Sequence, residues 1–443
     1  MIQRKRFKST GAVLTALCAG SLVLAACSSS SSNSSSSSNP NDTMGVTSTS
    51  ITIGATTPQT GPAAPGYSEI APAANAYFKY VNAKGGVNGR QINYLIQDDG
   101  YNPTTTATDT RQLVLQDHIF ADVGPLGTPT FLAVKDFLNT QKVPALFVES
   151  GCNCWNDPSL PDTFGWQPPY TDEGKILGQY VTQHFAGQKV GYLSQDDEFG
   201  QDGVKGLDHE IPAASLVNQQ IYTGSEQGLA NGLGTQISAL KASGAQVVVL
   251  YTIPAATTLA LLAAAQIGYA PQWVVSSVGS DPPTLTGLLG ALSKGAAGSS
   301  LLNGIITNTY LPTLTDAANP WVVDFKAILA KYDTGAPWDG NTEVGLSVAY
   351  TFVQALQAAG KNLTRSGLVS ALESQGASFH GPGLVPFSYS SSDHFGYQGS
   401  EVVQLENGGT TVNALSGPLV TTLTGPITTE SAAPSTPPSG LGS

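Results

Sequence analysis

The chain has 443 residues, which is long enough for two sizeable lobes, and only 11% of them are charged. The formal net charge is −12 and no basic run follows Lys8, so the sequence excludes nucleic acid as a partner. It contains no nucleophile elbow, P-loop or zinc-protease motif. We therefore expect a protein that is not an enzyme and that uses neither a cofactor nor a metal.

The N-terminal segment has the features of an export signal. Basic residues at positions 4, 5, 6 and 8 precede the apolar run Gly11–Ala25, which is too short to span a membrane comfortably. The run ends in Leu24-Ala25-Ala26-Cys27, which resembles the lipobox where bacterial lipoproteins are cleaved and acylated. We expect residues 1–27 to be a lipoprotein signal peptide, with Cys27 lipidated and the protein anchored to the cell membrane outside the cytoplasm. The serine-rich residues 28–47 are predicted to be a disordered tether.

Short apolar strands alternate with helices from Ser48 onward. Strands are predicted at Ile51–Ala55, Ile92–Ile96, Ile119–Val123 and Pro144–Val148, with helices of ten or more residues between them in most cases. This alternation is typical of βαβ units and a parallel sheet.

The turn after the third strand is a candidate anion site. Ile119–Val123 runs into Gly-Pro-Leu-Gly, and a helix is predicted to begin at Thr128-Pro129 with Thr128 as its N-cap. Such a turn offers backbone N–H groups, a hydroxyl and the positive end of a helix dipole. The pattern predicts a site for a small carboxylate.

The alternation of strands and helices restarts after Tyr170 and gives way to a run of helices after Ser276. A second set of helices and strands runs to Ser276, followed by helices near Asn319–Tyr332, Glu343–Ala359 and Arg365–Gln375. Short strands are predicted within Leu384–Leu405. The Pro/Ser/Thr-rich residues 425–443 are predicted to be a disordered tail.

Several stretches together resemble the branched-chain amino-acid-binding (Leu/Ile/Val-binding) proteins, which are substrate-binding lipoproteins of ABC transporters with the type I periplasmic-binding fold. The segments that carry the resemblance are ITIGATTPQTGP (51–62), NAKGGVNGRQINYLIQDD (82–99), VGPLGTPT (123–130), VPALFVESG (143–151), KVGYLSQDDEFGQDG (189–203), LKASGAQVVVLY (240–251) and GPGLVPFSY (381–389). They cover nearly all of residues 48–420, in the family's order and with compatible spacing.

The resemblance implies an α/β protein with two doubly wound parallel-sheet lobes joined by three hinge crossings. Lobe one would comprise residues 48–170 plus 309–395, and lobe two residues 171–308 plus 396–424. A small ligand would bind between the lobes and pass to the permease and ATPase subunits of an ABC importer. A ligand sensor on the same fold is the alternative function.

Individual site residues follow from the resemblance where the motifs match. Gly127 and Thr128, with Ser150 and Gly151, correspond to turns that bind the ligand carboxylate in the family. From lobe two, Phe199 corresponds to an aromatic residue that packs on the ligand, and Tyr251 and Thr252 lie at the next strand end. Ordinary core packing is the alternative role for Phe199 and Tyr251.

The acid that pairs with the ligand ammonium in the family is displaced in this sequence. The segment after Trp273–Ser276 contains no acid before Asp281. Asp281 could reach the ammonium, or Glu149 could serve from lobe one. Otherwise the ligand lacks an amino group and is an aromatic or short-chain carboxylate.

Cys152 and Cys154 lie just beyond the second carboxylate-binding turn. In an exported protein a disulfide is the default, and residues two apart reach bonding range in a tight turn. A metal site or a nucleophilic thiol is the alternative, although no histidine stands at ligand spacing from this pair.

Overall fold

Two separate sheets organise this structure, a computed structural model that describes residues 42–296, 298–431 and 436–437. The first sheet consists of β1 (Ser50–Thr57), β2 (Gln91–Asp98), β3 (Asp122–Val123), β4 (Ala145–Val148) and β5 (Thr163–Gly165). Its strands lie in the order β2-β1-β3-β4-β5, and all neighbours pair in parallel. Because β1 lies between β2 and β3, the chain winds outward from β1 in both directions, which makes this a doubly wound sheet.

The second sheet begins parallel and ends antiparallel. Its strands are β6 (Val190–Gln195), β7 (Leu216–Tyr222), β8 (Val247–Tyr251), β9 (Gln272–Val275), β10 (Ile306–Thr309), β11 (Gly399–Glu406), β12 (Thr411–Ala414), β13 (Leu419–Val420) and β14 (Thr428–Thr429). They lie in the order β14-β13-β11-β10-β9-β8-β6-β7, with β12 also paired to β11. The neighbours from β6 to β10 pair in parallel, and those from β11 onward are antiparallel.

Helices cover the sheets. They are α1 (Ala64–Tyr67), α2 (Ile70–Ala83), α3 (Pro103–Leu115), α4 (Thr128–Leu132), α5 (Lys135–Gln141), α6 (Tyr170–His184), α7 (Glu198–Glu210), α8 (Glu226–Leu229), α9 (Gly234–Ser243), α10 (Pro254–Gln266), α11 (Pro282–Leu292), α12 (Pro320–Tyr332), α13 (Gly340–Ala359) and α14 (Arg365–Gln375). Within the described ranges, no helix combines the length and the apolar character needed to cross a membrane.

Side chains of the second sheet alternate between its two faces, and each face forms a hydrophobic core with the helices that cover it. In β8, Val247, Val249 and Tyr251 pack with residues of α6 and α7. Val248 and Leu250 point to the opposite face and pack with α9 and α10. Because successive residues of a strand face opposite sides, a strand buried on both faces is a continuous apolar run, as VVVLY is.

The chain passes between the two sheets three times. It leaves the first sheet after β5, returns after β10 with α12–α14, and enters the second sheet again at β11. The returning helix α13 packs against α2 and α14 and is buried along most of its length. The predicted fold class, two doubly wound α/β lobes with three crossings, is confirmed.

Some predicted elements are wrong in extent. The third strand is only Asp122–Val123, not Ile119–Val123: Ile119 N–H bonds to the Leu113 carbonyl in α3, and Phe120 and Ala121 precede the strand although they still bond to β1. Within Leu384–Leu405, the residues before β11 form no ladder. Some of their N–H groups donate to other parts of the chain instead, as in Leu384 to the Tyr310 carbonyl and Tyr397 to the Trp166 carbonyl.

Both predicted disordered segments are partly ordered. At the tether's end, Asp42 accepts hydrogen bonds from the N–H and hydroxyl of Ser366, at 2.9 and 2.8 Å. In the tail, β14 pairs with β13, and Lys175 donates to the carbonyl of Gly425. Long-range hydrogen bonds therefore order these segments, together with the packing of Val46 and Ile427 against the core. The signal peptide, Cys27 and residues 28–41 lie outside the described residues.

Candidate functional site

A cavity of about 1060 Å³ opens where the carboxyl ends of strands from both sheets face each other. Its wall includes Leu126, Gly127 and Thr128 after β3, Glu149 after β4, Ser277 and Val278 after β9, and Tyr310 after β10. Ligands of open α/β sheets bind at this edge, because the loops that follow the strands converge there.

The turn after β3 differs from its prediction in one respect: Gly127, not Thr128, caps α4. Gly127 has a φ of 102°, and a Cβ at this position would lie 2.5 Å from Thr130 Oγ1. Only glycine fits this backbone without strain. Thr128 is thus the first helical residue, its side chain makes no cap bond, and its hydroxyl is free for other partners.

The Thr128 hydroxyl lies in a small group of buried hydroxyls. Its Oγ1 is 2.7 Å from Ser150 Oγ, which also accepts from the N–H of Cys152 at 3.3 Å. Thr128 forms part of the cavity wall, and Ser150 lies directly behind it. The two predicted carboxylate turns are therefore in contact.

Tyr170 completes this group of hydroxyls, although the sequence had marked it only as a boundary. A Cβ on Gly151 would lie 2.8 Å from Tyr170 Cδ1, so the absence of a side chain at Gly151 makes room for the ring. Burial raises the pKa of Tyr170 to about 12. Hydrogen bonds with Ser150, Thr128 and the Gly151 N–H have the opposite, smaller effect on this pKa. Tyr170 also lines the cavity.

The lobe-two residues predicted from the sequence divide into two groups. Phe199 lines the cavity and packs on Tyr170, with ring centroids 4.7 Å apart. Tyr251 and Thr252 lie behind the wall. Tyr251 supports the Phe199 ring at a centroid distance of 5.7 Å, and Thr252 Oγ1 bonds Thr257 Oγ1 at 2.6 Å.

Asp281 lines the cavity, and hydrogen bonds already occupy its carboxylate oxygens. Oδ2 caps α11 by accepting from Thr284 N–H at 3.0 Å, and Oδ1 accepts from Gly340 N–H at the start of α13 at 3.0 Å. Asp281 thereby links α11, which lies beside the second sheet, to α13, which lies beside the first sheet. The Tyr67 hydroxyl makes a second such link by donating to the Val278 carbonyl at 2.7 Å.

An acid does lie at the end of β9, where the sequence shows none. Glu173, on α6, accepts a hydrogen bond from Ser277 N–H at 2.5 Å. Burial raises the pKa of Glu173 to about 7, while the bonds from Ser277 and Asn308 oppose that rise. Glu173 stands about a hundred residues before Ser277, so sequence reading along the strand could not find it.

Two carboxyl groups of the cavity wall each have one oxygen without a hydrogen-bond partner. Glu149 Oε1 and Glu343 Oε1 are buried without a hydrogen bond, and burial raises the pKa of both side chains well above the usual value. Glu343 was not predicted. Its signal in the sequence is a single acid within the apolar stretch that forms α13.

The cysteine pair lies next to the cluster of buried hydroxyls formed by Thr128, Ser150 and Tyr170. Cys152 and Cys154 are joined by a disulfide, with Cα atoms 5.1 Å apart. Between them, Asn153 N–H donates to Asp202 Oδ2 at 2.9 Å, which holds the loop against α7. The described part of the chain contains no cluster of three or more side chains suited to a metal ion.

Comparison with known proteins identifies relatives along most of the chain. A family model described as periplasmic binding protein matches residues 50–410. An "Amino acid binding protein" of Pseudomonas aeruginosa is 23% identical over 312 residues, covering 70% of this chain and 78% of the relative.

Two solved structures share the fold. A fatty acid ABC transporter substrate-binding protein from Thermomonospora curvata aligns with a TM-score of 0.73 at 21% identity, covering 86% of this chain and 95% of that one. A branched chain amino acid ABC transporter from Thermus thermophilus, with bound valine, aligns with a TM-score of 0.72 at 19% identity, covering 84% and 97%.

Proposed function

Because the chain belongs to the periplasmic binding protein family, we propose that it is the solute-binding lipoprotein of an ABC importer. The membership confirms the family predicted from the sequence motifs. The observation that carries the proposal is the cavity between the two sheets, with hydrogen bonds in its wall that cross from one lobe to the other. Such a protein captures its solute by closing two lobes about hinges.

The proposed ligand is a small molecule with a carboxylate: a branched-chain or other amino acid, or an aromatic or short-chain carboxylate. The hydroxyls of Thr128 and Tyr170 would donate to this carboxylate, with Ser150 and Gly151 supporting them from behind. Phe199 would pack on the apolar part of the ligand. The ligand classes named for the two structural neighbours, valine and fatty acid, both carry a carboxylate, which supports this choice.

In this proposal the protein acts outside the cytoplasm, held at the membrane by a lipid on Cys27. Lobe one comprises residues 48–170 plus 309–395, and lobe two residues 171–308 plus 396–424. The permease and ATPase subunits of the importer are its protein partners.

A binding screen tests the proposal. The full chain is titrated calorimetrically with the proteinogenic amino acids and with aliphatic and aromatic carboxylates. We expect saturable binding of one molecule per chain by members of one chemical series. In a matched screen, the Phe199→Ala variant should bind the same compounds in the same order of affinity, but each of them more weakly. The reason is that the variant loses a ring that packs on every ligand. Failure of all these compounds to bind would contradict the proposal.

A further inference from the structure

Two hydrogen bonds beside the cavity join the lobes through segments that lie outside the three chain crossings. Gly340 N–H donates to Asp281 Oδ1 at 3.0 Å, and Asn341 Nδ2 donates to Thr284 Oγ1 at 3.1 Å. Asp281 and Thr284 lie at the start of α11, whereas Gly340 and Asn341 begin α13. We call these four residues the lobe latch. Its bonds require closed lobes, since separating α11 from α13 would break both.

The Asp281 carboxylate lies between the N-termini of two helices. Oδ2 accepts from the N–H and the hydroxyl of Thr284, at 3.0 and 2.6 Å, and Oδ1 accepts from the first N–H of α13. The N-terminus of a helix carries a partial positive charge, which favours a carboxylate at that position. Hydrogen bonds to a charged acceptor are also about twice as strong as neutral ones. One carboxylate therefore holds together helices that lie beside different sheets.

Two glycines allow the lobes to approach closely at the lobe latch. A Cβ on Gly340 would lie 2.7 Å from Asp281 Oδ1. A Cβ on Gly66, whose φ is 88°, would lie 2.8 Å from Thr284 Oγ1 and 2.7 Å from Asn341 Nδ2. A side chain at either glycine would overlap the lobe latch, so the contact between the lobes depends on the absence of both side chains.

Protein donors fill three of the roughly four acceptor positions of the Asp281 carboxylate. We propose that Asp281 is a positioning residue that stabilises the closed lobes around the solute, and that it does not select the solute by binding an ammonium group. This inference rests on the proposed function and assigns to Asp281 the control of lobe closure at the same site. A solute that binds only the closed protein has an apparent affinity proportional to the closed fraction. Loss of the lobe latch should therefore weaken the binding of every solute by one common factor.

Asp281→Asn tests the carboxylate with little change in shape. Asparagine is as good an N-cap as aspartate, so its one side-chain oxygen should keep the cap of α11 while an amide NH₂ faces Gly340 N–H. Thr284→Val removes the acceptor of the second bond at a residue outside the cavity wall. Thr364→Val is the matched control. Thr364 is also partly buried and outside the cavity wall, but its hydroxyl caps α14 by accepting from Gly367 N–H.

Calorimetry and stopped-flow kinetics on the full chain give the affinities and dissociation rates of two pairs of probes. The pairs are L-leucine with isocaproate and L-phenylalanine with phenylpropanoate, whose members differ only in the amine. Where a pair binds the parent, Asp281→Asn should weaken both members by the same factor, roughly ten- to a hundredfold, mainly through faster dissociation. Thr284→Val should weaken both by a smaller common factor, about two- to tenfold, because its bond is neutral. Thr364→Val should leave both affinities unchanged.

Small-angle scattering measures lobe closure without a solute. The lobe latch joins protein groups only, so its loss should also lower the closed fraction of the solute-free protein. We expect the radius of gyration of Asp281→Asn to exceed that of the parent and that of Thr364→Val. This measurement decides the inference even if none of the four probes binds the parent, because the proposed function is then tested separately by the wider screen.

Two outcomes would overturn the inference. A loss of affinity confined to L-leucine and L-phenylalanine in Asp281→Asn would show that Asp281 pairs with the ammonium group. Equal radii of gyration, without a change in any measured affinity in Asp281→Asn or Thr284→Val, would show that the lobe latch does not contribute to closure. Both outcomes leave the proposed solute-binding function standing. If Asp281→Asn fails to fold, the comparison of Thr284→Val with Thr364→Val decides.

Discussion

Replacing Thr128 by valine removes one hydroxyl from the cavity wall and keeps the shape of the side chain. In the ligand-free protein the Thr128 hydroxyl bonds Ser150 Oγ at 2.7 Å and caps no helix. Ser150 retains the N–H of Cys152 as a partner after the substitution, so no buried hydroxyl is left without a hydrogen bond. The free energy of unfolding should fall by about 1 kcal/mol, the net value of one hydrogen bond.

The effect on binding should be larger. A hydrogen bond to a charged carboxylate contributes roughly 1.5–3 kcal/mol, so affinity should fall about ten- to more than a hundredfold. Thr130→Val is the control, two residues further along α4. The Thr130 hydroxyl donates to the backbone carbonyls of Leu126 and Gly127 and lies outside the cavity wall.

Calorimetric titration and thermal unfolding separate the two effects. Both variants should lose about 1 kcal/mol of stability, and only Thr128→Val should bind the carboxylate ligand more weakly. If the two variants bind that ligand with equal affinity, the Thr128 hydroxyl makes no contact with it. The carboxylate would then be held by another part of the wall.

Three further predictions concern other parts of the chain. Cys27→Ala should release the protein from the membrane fraction, and unchanged retention would contradict lipidation at this residue. Secreted protein should show no alkylation of Cys152 or Cys154 until a reductant is added; rapid labelling without reductant would reject the disulfide. Burial, with Asp99 nearby, raises the pKa of Asp122 to about 8, so the folded state holds a proton that the unfolded state releases near pH 4. Stability should therefore decline from about pH 4 to 8, and less steeply in Asp122→Asn; equal slopes would contradict this.

Much of the architecture was predictable from local pattern. Continuous apolar runs such as Val247–Tyr251 mark strands buried on both faces, and glycines mark the ends of helices. The short strand β3 and the order of residues 42–47 and 425–431 were not predictable in this way. The order of the tether's end depends on hydrogen bonds between residues far apart in the chain, Asp42 and Ser366.

The sequence by itself determined the two-lobe fold and the turns that reach the cavity. Gly127 and Thr128 follow a strand end, and in a parallel sheet strand ends meet at one edge, so one-dimensional order suffices to find them, whereas Phe199 followed from the family resemblance. Only the tertiary structure decided which groups complete the site. Tyr170 and Glu343 come from helices far along the chain from those turns, and Asp281 is occupied by the N–H of Gly340. Whether a carboxyl is paired or unpaired depends on neighbours brought together by packing, because hydrogen bonding and burial act over a few ångströms of space and not along the sequence.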